Sequence, residues 1–222
     1  MENSKPFTEK DSLALITQMI NKAKDSYHDT GVSAMMWGAV VAICSLVKLA
    51  EIQFHFRLPF DIYLITLVAI IPQVILTIRE KKSKKVKSYD DAYMDYIWLG
   101  FGISIFLMIH VVNMLANDLQ PLAAEARKAN FDSGFHLYEY ISPLFLILYG
   151  MPTFITGAAC KFKPMLWGGL LCWACCIITI YTAVKIDLLL TALSAIFAWF
   201  VPGLIMQKEY ESYKKEQVQA HV

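Results

Sequence analysis

The chain has 222 residues, 57% of them hydrophobic and 18% charged, with a mean hydropathy of +0.46. That apolar share exceeds what an ordinary soluble domain carries and marks a membrane protein. Twenty basic and nineteen acidic residues nearly cancel, and no glycine-rich phosphate loop is present, so composition points to no nucleic-acid partner and to no nucleotide-driven activity.

The opening stretch, 1–32, has no apolar core behind a basic start, so a cleaved signal peptide is not expected and the mature chain is expected to begin near Met1. Within it Leu13, Ile16, Ile20, Ala23 and Tyr27 follow 3-4-3-4 spacing. The pattern predicts an amphipathic cytoplasmic helix over 8–30 that ends at Gly31. Its stripe suits the membrane surface or, in the competing reading, a cytoplasmic protein partner that would make the chain a docking platform.

A bilayer core about 30 Å thick needs roughly 20 helical residues, and lipid leaves a spanning segment no alternative to the helix. Six windows meet that length: 33–52, 58–78, 93–115, 136–159, 164–184 and 187–206. The predicted fold class is therefore all-α and polytopic, with six transmembrane helices as three antiparallel hairpins over 33–206 and a cytoplasmic tail over 207–222. Near the end of the first window Lys48 and Glu51 are spaced i, i+3 and predict an interfacial pair, which Asp61 joins across a short turn.

The second window contains Pro72-Gln73 and runs into the basic stretch "REKKSKKVK". The segment "IPQVILTIREKKSK" resembles the PQ-loop transporters, a resemblance that implies a carrier built from three-helix bundles. That family pairs two such motifs in seven spans or uses one in a three-span protomer. Here the equivalent prolines, Pro152 and Pro202, precede Thr153 and Gly203, and the windows pair as hairpins. Over a greater length, "SLALITQMINKAKDSYHDTG" before the first window and "REKKSKKVKSYDDAYMDY" after the second resemble an uncharacterised family of small polytopic membrane proteins from Bacteroidota-type bacteria. This second resemblance implies an inner-membrane location and no particular activity.

In the third window His110 and Asn113 are spaced i, i+3, and His136 and Glu139 repeat that spacing at the start of the fourth. The two pairs fall at similar depth in the outer half of the membrane. Together with Asp61, Glu51 and Lys48 they outline a polar crevice for a small solute or a proton. A divalent metal held by His110, His136 and Glu139, with His55 or Asp61 as a further ligand, is the competing reading and would imply a metal- or redox-dependent membrane enzyme. Between these windows the outer loop 116–135 contains "PLAAEARKAN", which predicts a separate short helix beginning at Pro121.

"CWACC" in the fifth window places Cys172, Cys175 and Cys176 near mid-membrane, where a catalytic dithiol would lack water. They are expected to act as small packing residues. A shift of 130 residues superposes "MMWGAVV" on "MLWGGLL" and Pro72 on Pro202, so Trp37–Pro72 and Trp167–Pro202 share a separation of 35. The middle hairpin has a looser version at Trp98, Gly100 and Pro152. The pattern predicts an internal repeat of one hairpin per unit, with homo-oligomers a further expectation.

With both termini in the cytoplasm, fifteen of the twenty lysines and arginines lie on the cytoplasmic side, leaving Lys48, Arg57, Arg127, Lys128 and Lys185 outside. This excess sets the orientation in a bacterial inner membrane and makes the lysine-rich loop a topology anchor. The functional expectation is a non-enzymatic transport or membrane-accessory protein. In a chain stripped of native cysteines, Lys84→Cys should react with an impermeant thiol reagent only after the cells are opened, and Arg127→Cys in intact cells. The reverse pattern would invert every depth above.

Overall fold

The computed structural model describes Leu13 and residues 30–83, 89–128 and 137–220. The predicted helix over 8–30 therefore lies outside the described residues except for Leu13, which is helical. Every regular element among the described residues is a helix. In chain order these are α1 (Val32–Phe54), α2 (Leu64–Ser83), α3 (Tyr89–Lys128), α4 (Leu137–Ala159), α5 (Lys163–Thr179) and α6 (Val184–Ala195). The last continues through a π-helical turn, Ile196–Phe200, into α7 (Val201–Ala220).

Four stretches are long and apolar enough to cross a membrane by length and composition: Val32–Phe54, Tyr93–Ala126, Glu139–Ala159 and Val184–Ser212. Large apolar side chains cover the outside of the molecule, among them Leu67, Val68, Phe106, Val111 and Ile177. In water such a surface would be a severe aggregation liability, whereas in lipid it is the ordinary exterior.

Several predicted boundaries change. α2 begins at Leu64 instead of 58: residues 56–61, with Pro59 among them, are irregular or bent, and a turn at 62–63 follows Asp61. The separate helix expected at Pro121 does not form: α3 runs unbroken from Tyr89 to Lys128 with Pro121 inside it. Strong helix formers in "LAAEARK" extend the helix, and the backbone hydrogen bond that proline forfeits falls where α3 is exposed. The expected tail from 207 is likewise helical, as α7 reaches Ala220.

The core lies among α1, α4, α5 and α6 and is made largely of small residues: Ala42, Cys172, Cys175, Cys176, Ala192, Ala195 and Ala198 surround Leu146, Tyr149 and Trp199. Small side chains let backbones approach closely, which matters most where lipid supplies no hydrophobic drive between helices. A side chain on Gly38 would sit 2.6 Å from the Phe200 amide nitrogen, and one on Gly168 would sit 2.6 Å from Ala198 Cα. Both glycines thus press against the π turn. That turn precedes Pro202, which cannot donate to the Ala198 carbonyl; the wider register, with the Val201 amide bonded to the Ile196 carbonyl, takes up the mismatch.

The first hairpin is joined by polar contacts along its length. Thr30 Oγ1 donates to Glu80 Oε1 at 2.7 Å, Trp37 Nε1 to Gln73 Oε1 at 3.0 Å, and Cys44 Sγ to the Ile62 carbonyl at 3.5 Å. Gln73 of the Pro-Gln pair is therefore engaged by Trp37, while its amide donates to Thr77 Oγ1 at 3.2 Å.

The Gly38 contact is measurable. Gly38→Ala should lower stability in detergent by about 1–3 kcal/mol, the cost of forcing an atom into a packed core. Gly100→Ala, where no atom lies within 4 Å of the added carbon, should be neutral or slightly stabilising. Equal melting temperatures for the two variants would contradict this packing.

Candidate functional site

Turn chemistry builds one end of the first hairpin. α1 stops at His55, which turns left-handed at φ 55°. Asp61 restarts the helix: Oδ1 accepts from the Tyr63 amide and its carbonyl from the Leu64 amide, each at 3.0 Å, which is how a capping residue satisfies a free helix start. Glu51 holds the intervening loop, with Oε1 accepting from the Leu58 amide at 2.9 Å and Oε2 pairing with Lys48 Nζ at 2.9 Å.

These contacts shape a cleft of about 720 Å³ lined by Lys48, Glu51, His55, Arg57, Asp61 and Lys185. Lys185 reaches it from the start of α6 and donates to Gln53 Oε1 at 3.0 Å. Three fixed cations face two carboxylates, and both carboxylates already accept local hydrogen bonds. The rim suits a small anionic or zwitterionic solute.

Two residues beyond Lys185, Asp187 is only 1% exposed. Its Oδ1 accepts from Thr182 Oγ1, and its Oδ2 has no hydrogen-bond partner among the described residues. Glu139, in the first turn of α4, lies within electrostatic reach. Asp187, Thr191 and Ser194, spaced i, i+4, i+7, form one buried polar face of α6. Thr191 Oγ1 donates back to the Asp187 carbonyl at 2.8 Å, while Ser194 Oγ faces the Cys172 thiol. A half-satisfied carboxylate buried in this way costs several kcal/mol as a bare anion. A bound proton or other cation removes the cost.

The residues predicted from sequence separate into groups. Lys48, Glu51 and Asp61 do meet, in the cleft. His110 and Asn113 are exposed on α3 and make no hydrogen bond or ion pair among the described residues. Glu139 is half-buried beside Asp187, and His136 lies outside the described residues. No three His, Cys, Asp or Glu side chains stand together as metal ligands among the described residues. Cys172, Cys175 and Cys176 are free thiols buried in the core cluster.

Sequence reasoning missed Asp187, which stands at the very edge of the apolar window 187–206. The signal was its i, i+4, i+7 spacing to Thr191 and Ser194 inside an apolar window. No family model, no curated protein and no solved structure matches the chain.

The Glu51 contact predicts a local effect. A hydrogen bond to a charged group contributes about 1.5–3 kcal/mol, so Glu51→Ala should accelerate hydrogen exchange at the Leu58 amide by tenfold or more. Exchange in the α5 core should stay unchanged. An unaltered Leu58 rate would show that the loop is held by something else.

Proposed function

We propose that the chain is a six-span, non-enzymatic protein of a bacterial inner membrane that takes up a small solute or a proton from the outer side. The carrying observation is Asp187: a carboxylate inside a candidate span, 1% exposed, with one oxygen unpartnered. A carboxylate shielded from water at the end of a span is a candidate for a solute or proton path. The cleft with Lys185 on its rim is the way in, Asp187 is the acceptor, and the hydroxyls of Thr182, Thr191 and Ser194 line the first steps inward.

Six spans rest on the four long stretches together with α2 and α5, whose outward faces are equally apolar at Leu67, Ile71 and Ile177. The orientation rests on the basic residues of the loop after α2 and of both termini. The hairpin repeat is supported by the matching Trp-Gly pairs at Trp37 and Trp167 and their equal separations from Pro72 and Pro202. With no nucleotide site in the sequence, movement through the protein is passive or driven by a second gradient.

Proteoliposomes carrying a lumenal pH dye test the reading. Under an imposed potential the protein should acidify or alkalise the lumen faster than protein-free vesicles, and Asp187→Asn should reduce that rate at least tenfold. Glu51→Ala, which disturbs only the rim, should reduce it less. Flux equal to that of empty vesicles would overturn a proton path through Asp187.

A further inference from the structure

No residue in the most apolar stretch of α3 is fully buried within the molecule. α3 touches the bundle through α4 and through the rings of Trp98 and Phe101, which meet Trp199 at 6.4 and 6.0 Å between centroids. Its opposite face carries Tyr96, Leu99, Ile103, Phe106, His110, Asn113, Asn117 and Gln120, all exposed. Their spacing is 3-4-3-4-3-4-3 over about 36 Å of helix. This is the seam along which one helix packs lengthwise on another.

The seam is divided. Its half toward Tyr96 is aromatic and aliphatic, with Phe106 at 69% exposure. Its other half is polar: His110 and Asn113 lie within the apolar stretch, and Asn117 and Gln120 continue the line beyond it. Lipid cannot satisfy an imidazole or an amide, and no group of this chain does so among the described residues. Imidazole and amide side chains each both donate and accept, so identical rows satisfy one another when brought face to face at equal depth. Gly100 and Gly102 beside the seam have no atom within 4 Å of where a side chain would sit, whereas the other described glycines all press against a neighbouring element.

We infer that the α3 seam is the interface between two copies of this chain, packed in parallel about a twofold axis along the membrane normal, with His110 and Asn113 of one copy bonded to Asn113 and His110 of the other. Copies inserted with the same topology are parallel of necessity, so polar half meets polar half and apolar half meets apolar half. A soluble protein could not reach this depth. A different membrane partner would have to reproduce the same division at the same height, which only a second copy does automatically.

The test uses full-length protein with its five native cysteines replaced. In native membranes under mild oxidation, Phe106→Cys should give a disulfide-linked dimer at least tenfold more efficiently than Val111→Cys, which is equally exposed but off the seam. Particle masses in lipid nanodiscs should show a dimer for the parent chain. The double variant His110→Leu, Asn113→Leu, which only adds apolar surface toward lipid, should shift it to monomer with at least tenfold weaker association. A monomeric parent chain, cross-linking equal at the two positions, or a double variant that remains dimeric would each overturn the inference. A parent chain found only with a different membrane protein would do so as well. None of these readouts depends on proton flux through Asp187.

Discussion

The bond from Trp199 Nε1 to Thr153 Oγ1, 2.7 Å long and fully buried, joins the α6 π turn to α4. Thr153 Oγ1 in turn donates a hydrogen bond to the Tyr149 carbonyl at 2.6 Å, and the Trp199 ring rests on Tyr149 at 4.8 Å between centroids. In lipid the hydrophobic effect does not press helices together, so close packing and such interhelical bonds hold the bundle. The surrounding geometry serves this contact. Pro202 forces the wide turn that carries Trp199, and Gly38 and Gly168 let α1 and α5 close on that turn from two sides. Trp98 and Phe101 lean on the same ring, which gives peripheral α3 its attachment to the centre.

Around this centre many of the inward-facing polar groups find partners inside the protein. Trp37 and Gln73 satisfy one another, as do Ser45 and Tyr63 at 3.3 Å. The Pro-Gln pair is thus a clasp between α1 and α2. Asp187 Oδ2 has no hydrogen-bond partner among the described residues and stands a few residues from a cleft with three cations on its rim. Its position makes α6 the functional helix of the proposal and the first hairpin its outer wall.

Much of this was legible in the sequence. Helical class, the apolar exterior and the polar end of the first hairpin follow from window length, composition and the Lys48, Glu51 and Asp61 spacing. The sequence did not show which face of each helix turns inward, because an apolar helix in lipid has no amphipathic contrast to reveal it. His110 and Asn113 were read as facing inward for that reason, yet α3 turns them outward. Asp187 stands at the edge of its apolar window, where the chain alone does not distinguish a buried carboxylate from one at the water interface. Pro121 was read as a boundary, but the helix formers after it outweigh one lost hydrogen bond.

The account stands or falls on what Asp187 binds. Infrared difference spectra of lipid-reconstituted protein across an acid-to-neutral pH step isolate a single carboxyl group when wild type is compared with Asp187→Asn. The account predicts a protonated-carboxyl band from a site shielded from water that appears in the wild-type difference spectrum and vanishes in the variant. Identical spectra for the two proteins would mean that Asp187 exchanges no proton and would contradict the account.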